Sequence, residues 1–432
     1  MSELTPKGVR DFLPQEKILR DKIIETLKYA FEIYGYNPVE TPALERYDLL
    51  ASKYSGGEEI LKETFSLVDR GKRKLGLRYD LTVPFARIIA MNPNLKMPFK
   101  RYQIDRVWRD GPLKLGRYRE FWQADCDVVG SKNLLAEAEL LSLAFFVFKN
   151  FNMSIDIQVN NRKLLNEVLK FCGVGEELYD SVLLSLDKLQ KIGLEGVKKE
   201  LIDKNINERV IKKLIDIVNV TGENQQIISY IKEKIGKTEG ISELEEIMRL
   251  CEIFKVKIRI VPTLARGLSY YTGTIFEIYL KDSPITSSVA AGGRFDKMIG
   301  MFVGKEEDYP AVGISFGVDV ITDAIKLSKN IIPRKSVVDV YVVPIGNVLE
   351  DAIPIAQLLR AEGIRTDIDL NSRGVTKNLN FANSYGIKYV IFIGENEIKN
   401  KLIKIRDMER GEEKLMEVKD VIKFLRQNNV KF

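Results

Sequence analysis

Arginine and aromatic residues lie close together between Lys96 and Arg119, and this stretch is the part of the sequence best suited to chemistry on an anion. It holds eight basic residues against two acidic ones, so its excess of six equals the net charge of the whole chain, +6. Alternate residues of a strand face the same side. A hairpin here could therefore aim several guanidinium groups at one anion, and each group can bind phosphate through two hydrogen bonds. A solvated basic strand pair has the same composition, but the connection DGPLKLGR favours the anion site because its glycines and proline shape a turn between two arginine-bearing strands.

A second segment, LARGLSYYTGTIFEI over 264–278, places Arg266 shortly before the adjacent tyrosines Tyr270 and Tyr271. Neighbouring residues of a strand point to opposite faces, so we expect at most one of the two tyrosines to line a given pocket. By itself this segment also fits a core strand with interface tyrosines. The paired glycines of AAGGRFDKMIG, from Ala290 onward, are typical of backbone that a ligand approaches closely. The sequence has no P-loop.

The chain of 432 residues contains no histidine. That absence excludes Ser–His–Asp and Cys–His mechanisms, a histidine general base and a histidine-ligated metal. The three cysteines, Cys126, Cys172 and Cys251, are far apart and form no C-x-x-C motif, which argues against a zinc ribbon and fits a reducing cytosol. The chemistry must therefore rest on carboxylates, arginine, lysine, tyrosine or a bound metal.

The length predicts two to four domains. The N-terminal segment MSELTPKGVRDF lacks the apolar core of a signal peptide. The longest apolar run, near Leu140–Phe148, is too short to span a bilayer. We therefore expect a cytoplasmic protein without a membrane partner.

Apolar periodicity and turn residues predict locally paired strands separated by helices over the first 330 residues. Helices are expected over Gln15–Tyr34, Thr82–Ala90 and Leu134–Asn150. A hairpin is predicted where FSLV is followed by LGLR, and a second one where PFKRYQIDRVWRD is followed by RYREFWQADCDVVG. This order indicates an α+β fold built on an antiparallel sheet.

The amino-acid composition and the pattern of predicted elements change twice in the rest of the chain. From about 170 to 250, runs rich in Lys, Glu, Leu and Ile predict a helical insertion. From about Pro333, the segments VDVYVVPIG, AQLLRAEG, RTDIDL and YVIFIG alternate between strand and helix patterns. That alternation predicts a separate βαβ domain of roughly 100 residues.

Six segments, in order along nearly the whole chain, resemble the motifs of histidyl-tRNA synthetases, a family of class II aminoacyl-tRNA synthetases. GYNPVETPALE, with Pro42, resembles motif 1; LRYDLTVPFAR the amino-acid-binding segment; and Arg109–Gln123 motif 2. LARGLSYYTG and AAGGRFD resemble the two histidine-specific signatures, and AVGISFGVD resembles motif 3. Six matches in the family's order make coincidence implausible.

The resemblance implies a class II antiparallel catalytic sheet with helices over 1–330, a helical insertion at about 170–250 and an α/β anticodon-binding domain over 333–432. It also implies a homodimer with motif 1 at the interface. The implied activity is histidine–tRNA ligation: L-histidine and ATP form histidyl-adenylate, and the histidine is transferred to the 3′ end of tRNA(His). ATP would act as a substrate with Mg²⁺, and no prosthetic group or protein-bound metal is implied.

The family's site residues carry over by motif. Asp80, Leu81 and Thr82 match the segment that holds the substrate's α-amino group. Arg109 matches the arginine on the α-phosphate, Arg266 the second catalytic arginine, and Arg117 a further ATP contact. The remaining histidine-binding positions are matched by Gln123, Asp127, Tyr270 and Tyr271, with Arg109 and Arg266 also touching the amino acid.

The residue types suit this reaction. A carboxylate attacks the α-phosphate in line, pyrophosphate leaves, and fixed guanidinium groups stabilise the growing negative charge without any proton transfer. An enzyme without histidine can therefore perform it. An imidazole ligand needs an acceptor at one nitrogen and a hydroxyl partner at the other, and Asp127 and Tyr271 have those functions.

Four positions depart from the family pattern. Ser269 stands where an aspartate is usual, Asp319–Val320 where motif 3 ends in an arginine beside the adenine, Phe295 in place of a tyrosine, and Gly111 in place of an acidic residue. The alternatives to an active ligase are a silent regulatory paralogue, either the partner of ATP phosphoribosyltransferase or a tRNA-sensing module, and a basic RNA-binding protein with a decayed synthetase fold. The presence of Arg109, Arg266 and a C-terminal unit favours the enzyme.

Overall fold

The computed structural model describes residues 4–51, 61–113, 116–266, 270–303, 308–328 and 334–428. The chain divides into two compact units. Residues 1–11 and 22–331 form the first unit, and residues 12–21 and 332–432 form the second.

An eight-stranded sheet is the centre of the first unit. Its strands and those of a smaller sheet are β1 Asn37–Pro38, β2 Leu44–Arg46, β3 Ser66–Val68, β4 Lys74–Leu77, β5 Phe99–Trp108, β6 Glu120–Val129, β7 Ile155–Asn161, β8 Arg259–Ile260, β9 Thr274–Leu280, β10 Ala290–Arg294 and β11 Ala311–Gly317. The strand order in the large sheet is β1-β5-β6-β11-β10-β9-β7-β8. Its six inner strands all pair antiparallel, whereas β1 and β8 join the two edges in parallel. The predicted antiparallel α+β architecture is confirmed.

The helices up to residue 328 belong to the first unit, where they accompany this sheet or form the insertion, except that residues 14–21 of the first helix belong to the second unit. In chain order they are α1 Pro14–Ile33, α2 Tyr47–Leu50, α3 Thr82–Met91, α4 Leu135–Asn150, α5 Arg162–Cys172, α6 Tyr179–Asp187, α7 Leu189–Asp203, α8 Glu208–Val218, α9 Asn224–Ile235, α10 Glu239–Ile253, α11 Met298–Val303 and α12 Val318–Ser328. Local chemistry sets their ends: the Asn161 side chain accepts hydrogen bonds from the backbone N–H groups of Lys163 and Leu164 at the start of α5, and Gly173 ends that helix in the left-handed conformation.

The hairpin of β5 and β6 positions the polar side chains that matter most below. Its register pairs Arg101 with Asp127 and Gln103 with Asp125. Alternation along β6 leaves Cys126 in the core on the opposite face from these two aspartates. Around Cys126 one face of the hairpin is therefore apolar, whereas the face of Arg101, Asp125 and Asp127 carries buried charges.

The second unit holds a five-stranded sheet of order β13-β12-β14-β15-β16. Its elements are β12 Val340–Ile345, α13 Leu349–Ala361, β13 Thr366–Ile368, α14 Val375–Ser384, β14 Tyr389–Gly394, α15 Glu395–Asn400, β15 Ile403–Asp407, β16 Glu413–Met416 and α16 Val418–Asn428. The strand β12 pairs in parallel with both β13 and β14, as a βαβ unit requires, and β15 and β16 extend the sheet antiparallel. Over the described part of the chain, no helix combines the length and the apolarity needed to cross a membrane.

Candidate active site

A cavity of about 470 Å³ opens in the first unit beside β6, β10 and β11. Nine of the ten residues expected from the sequence to form the site line it: Asp80, Thr82, Arg109, Arg117, Gln123, Asp127, Arg266, Tyr270 and Tyr271. The tenth, Leu81, has a fully buried side chain and faces the core. The structure thus gathers into one cavity residues that are up to 191 positions apart in the chain.

The floor of the cavity is acidic. Gln123, Asp125 and Asp127 alternate along β6 and all line the cavity, and both aspartates are buried. Burial raises the pKa of Asp127 to about 7, although the Arg101 guanidinium opposes the rise. Burial also raises the pKa of Asp125 against the same guanidinium. A cationic group of a ligand would favour the ionised form of these carboxyls, which then accept its hydrogen bonds.

Asp80 lies at the start of α3 on another side of the cavity. Its Oδ1 accepts a hydrogen bond from the backbone N–H of Val83 at 3.0 Å. Burial raises the pKa of this carboxyl to about 6, even though the Val83 hydrogen bond and Arg109 favour its ionised form. Asp80 is therefore a third buried carboxyl that a ligand's cationic group could neutralise.

Three arginines bring positive charge to the cavity. Two contacts hold the Arg109 side chain in place. Its Nε donates a hydrogen bond to the Tyr79 carbonyl oxygen at 2.9 Å, and its guanidinium lies 5.2 Å from the centre of the Phe121 ring. Arg117 Nη2 donates to both Glu63 carboxylate oxygens, at 3.1 and 3.2 Å. These contacts leave the remaining N–H groups of Arg109 available to an anion in the cavity.

Arg266 is positioned by its backbone and by a buried pair. Its φ is +53°, an uncommon value for a residue with a side chain. Its Nη1 lies 3.4 Å from Glu277 Oε1 in an ion pair, and its guanidinium lies 5.6 Å from the centre of the Tyr271 ring. Burial alone would lower the pKa of Arg266, but Tyr271 and Glu277 outweigh it and the pKa is raised, so the group stays charged.

Both adjacent tyrosines line the cavity, so the expectation that only one could do so is wrong. Tyr270 and Tyr271 lie in a turn before β9 rather than in a strand, and the alternation of a strand does not apply to them. Their ring centroids are 4.7 Å apart, and Phe295 contacts Tyr270 edge-on at 6.1 Å. Burial raises the pKa of both tyrosines, which keeps their hydroxyl groups protonated.

The charge pattern suggested that several arginines of the hairpin point at one anion. In the structure, most of them do not. Arg106 pairs with Glu120 and Arg119 with Asp110, while Arg101 lies beneath the cavity against Asp127. Of the arginines from this hairpin, Arg109 and Arg117 line the cavity. The sequence could not separate these roles, because each depends on the register in which the two strands of the hairpin pair.

Sequence reasoning missed four charged residues at the site: Asp125, Asp187 and Glu63, which line the cavity, and Arg101, which lies behind Asp127. Asp125 was within reach, since a strand that presents Gln123 and Asp127 to one side also presents the residue midway between them. Glu63 gave no signal. Its Oε1 lies 2.8 Å from the place that a Cβ on Gly111 would occupy, so its carboxylate fills the space left by the glycine.

Asp319 and Val320, which stand where motif 3 ends in an arginine, have defined contacts. Asp319 Oδ1 pairs with Arg10 Nη2 at 3.1 Å, and Asp319 Oδ2 accepts a hydrogen bond from the Trp122 backbone at 2.8 Å. Val320 packs within 3.4 Å of the Cβ positions of Gly116 and Gly317. The position of Ser269 lies outside the described residues.

Comparison with known proteins identifies related chains over almost the whole length. A family model described as histidyl-tRNA synthetase matches residues 8–321, and one described as an anticodon binding domain matches residues 339–428. Histidine–tRNA ligase 1 of Bacillus cereus strain ATCC 14579 is 44% identical over 425 residues, covering 97% of this chain and 98% of the relative.

Comparison with solved structures identifies proteins of the same fold. The histidyl-tRNA synthetase of Nostoc sp. PCC 7120 superposes with a TM-score of 0.87 at 30% identity, covering 99% of each chain. A protein from Bacillus halodurans C described as an ATP phosphoribosyltransferase regulatory subunit/histidyl-tRNA synthetase has a TM-score of 0.76 at 21% identity, covering 91% of this chain and 99% of the other. At that identity the second likeness concerns the fold alone.

Proposed function

The chain belongs to the histidyl-tRNA synthetase family, and on that premise we propose that it is a histidine–tRNA ligase. It activates L-histidine with ATP to histidyl-adenylate, then transfers the histidine to the 3′ end of tRNA(His), with AMP and diphosphate as products. The observation that carries this proposal is the convergence of Arg109 and Arg266 with Asp127 on one cavity. The cavity combines a cationic wall for a phosphate with an acidic floor for an imidazole.

Arg109 is the proposed α-phosphate ligand and Arg266 the second catalytic arginine. When the histidine carboxylate attacks the α-phosphate, charge accumulates on the phosphoryl oxygens, and fixed guanidinium groups stabilise it more than they stabilise the ground state. The contacts of Arg109 with Tyr79 and Phe121 hold its side chain in place before ATP binds. Arg117 is proposed as a further ATP contact, where it lines the cavity beside Glu63.

Histidine recognition is assigned to the acidic residues of the cavity and to the side chains beside them. Asp80, Thr82 and the backbone of Leu81 take the α-amino group, and Gln123 lies on the floor beside the amino acid. Asp127 accepts a hydrogen bond from one imidazole nitrogen, and the protonated hydroxyl of Tyr271 is available to the other. Tyr270 packs beside the ring, in contact with Tyr271.

Magnesium accompanies ATP in this proposal as part of the substrate. Mg²⁺ usually keeps several waters and is bound by substrate phosphates with one or two carboxylates. Glu63 is a carboxylate of this kind, since it lines the cavity next to Arg117. The ion would draw charge from the departing diphosphate, while the protein's arginines hold the α-phosphate.

We also propose a cytoplasmic homodimer. Cys126, Cys172 and Cys251 are all buried free thiols, as suits a reducing compartment. The small sheet of order β2-β4-β3, whose first strand overlaps motif 1, exposes the apolar side chains of Leu44 and Leu67 on one face. An apolar sheet face of this kind is suited to contact with a second copy.

A silent regulatory paralogue is the competing function, and Val320 in place of the motif 3 arginine is the observation that favours it. The cavity nevertheless retains the two catalytic arginines, the amino-group segment and the acidic floor. Histidine-dependent exchange of labelled pyrophosphate into ATP separates the two. A ligase exchanges label only when histidine is added, and charges tRNA(His) when tRNA is present; binding of histidine without exchange would identify a silent paralogue.

A further inference from the structure

Arg101 is a fully buried arginine that no step of the proposed reaction uses. It lies on β5, directly across from Asp127 on β6, and it is 0% exposed. Its guanidinium lies 4.2 Å from the centre of the Phe85 ring on α3. The side chain is thus enclosed between the β5–β6 hairpin and α3, behind the cavity.

From this position one guanidinium nitrogen reaches two parts of the proposed histidine site. Arg101 Nη2 lies 2.7 Å from Asp127 Oδ2 in an ion pair. The same nitrogen donates a hydrogen bond to the carbonyl oxygen of Leu81 at 3.1 Å. Leu81 belongs to the segment assigned to the α-amino group, and Asp127 is assigned to the imidazole, so Arg101 links the two ends of the amino-acid site.

The Asp127 carboxylate is held on its other side as well. Asp127 pairs with Gly313 of β11, and a Cβ at Gly313 would overlap Asp127 Oδ1. One oxygen therefore lies in the space that a glycine leaves, and the other lies against Arg101. Among the described residues, Arg101 Nε and Nη1 have no hydrogen-bond partner, so the ion pair and the Leu81 bond are the polar contacts that justify burying this charge.

We propose that Arg101 is a positioning residue for histidine recognition, holding the Asp127 carboxylate and the Leu81 backbone in a fixed relation without touching the substrate. This inference rests on the proposed function, since it assumes that Asp127 meets the imidazole. The charge of Arg101 also opposes the rise in the pKa of Asp127 that burial, Asp125 and Asp80 cause, so a larger fraction of the carboxyl is ionised near neutral pH than without Arg101. Arg101 thereby acts on both the direction and the charge of the acceptor.

The test is steady-state pyrophosphate exchange by Arg101→Met and Arg101→Lys between pH 6 and 8.5. Loss of the charge behind Asp127 should raise the KM for histidine about tenfold to a hundredfold at pH 7, with the KM for ATP within about twofold of the wild-type value. The defect should shrink as the pH rises, because Asp127 without its cation ionises only at higher pH. Lysine keeps the charge but, as a point donor, cannot reproduce both contacts, so its histidine KM should be intermediate and its pH profile close to wild type.

Two further variants distinguish positioning from general damage. On an Asp127→Asn background, Arg101→Met should add little to the histidine defect, because the residue through which it acts is gone. Arg294→Met removes a comparably buried guanidinium, paired with Glu137. It should lower the melting temperature without a selective histidine defect that depends on pH.

Equal weakening of histidine and ATP, a defect independent of pH, or full additivity with Asp127→Asn would overturn the proposal. If Arg101→Met does not fold, the lysine variant decides, and a wild-type histidine KM in that variant would also overturn it. The wild-type protein tests the underlying function separately. If it shows no exchange, calorimetric titration of histidine into the same variants, with the same expected order of affinities, still tests the role of Arg101.

Discussion

At the scale of single residues, the phosphate chemistry depends on Arg109. Replacement of Arg109 by alanine should reduce histidine-dependent pyrophosphate exchange by roughly a hundredfold to a thousandfold, since a fixed donor to the transition state is lost. Lysine should restore little, because a point charge cannot reproduce the planar fork. Exchange rates at saturating ATP and histidine measure both effects. A variant that kept most of its exchange rate would place the phosphate site elsewhere.

Selectivity for histidine depends on Asp127. Asp127→Asn keeps the shape of the side chain but removes its charge and can present a donor where an acceptor is needed. A hydrogen bond to a charged group contributes about 1.5–3 kcal/mol, so histidine binding should weaken about tenfold to a hundredfold while ATP binding stays nearly unchanged. Separate titrations of histidine and ATP, with a melting curve on the same variant, check this. Equal weakening of the two ligands would make Asp127 a structural partner of Arg101 rather than part of the pocket.

The buried carboxyls also predict how stability responds to pH. The pKa of Asp127 is about 7 and that of Asp80 about 6 in the folded protein, well above the ordinary range of an aspartate. A raised pKa means that the folded state binds the proton more tightly than the unfolded state does, so stability from these groups is present at low pH and is lost as the pH rises through 6 and 7.

The ligand-free protein should accordingly melt at a higher temperature at pH 6 than at pH 8, and Asp127→Asn should reduce that difference. Carboxyls with a lowered pKa, such as Asp339 and Asp369, remain ionised across this interval and do not mask the trend. The chain has no histidine to titrate there either. Melting curves across the interval check the prediction, and a melting temperature that rose with pH would contradict it.

At the scale of secondary structure, the close approach of β6 and β11 sets the shape of the cavity floor. Gly313→Ala would place a methyl group on the Asp127 carboxylate. The expected result is a loss of about 1–3 kcal/mol of stability from overpacking, together with weaker histidine binding. Gly317→Ala on the same strand is the matched control, because its Cβ would meet Val320 at an ordinary 3.4 Å. Chemical denaturation and histidine titration measure both effects. If the two variants behave alike in both, histidine binding does not depend on the spacing of β6 and β11.

At the scale of the whole molecule, the two units should divide the labour. Removal of the chain from about Pro333 should leave histidine-dependent exchange largely intact but weaken charging of tRNA(His), since the C-terminal unit matches an anticodon binding domain. Exchange and aminoacylation assays on the truncated protein, with circular dichroism as a check of folding, measure this. A folded truncation that lost both activities would refute the division.

Much of this protein could be anticipated from residue order. The hairpin of β5 and β6, the helix over Thr82–Met91 and the βαβ pattern near the C-terminus follow from local periodicity, and the structure confirms them. The segment KIRIVPTLARG has the composition of a longer strand, but the strand that forms is only Arg259–Ile260, since Pro262 lies two positions further on and cannot donate to the ladder. Such differences arise where a single residue overrides a weak pattern.

The chemistry available to this protein follows from residue order alone: there is no histidine, arginines are concentrated in one hairpin, and a series of motifs indicates one family. Those properties are local, because they depend on residue type and on spacing along the chain. Three further features could be seen only in the folded chain. Both Tyr270 and Tyr271 line the cavity, Glu63 fills the space beside Gly111, and Arg101 joins Leu81 to Asp127. Each of these depends on a turn geometry or on the approach of segments distant in sequence, and the distances between such segments are set by packing and strand register rather than by local pattern.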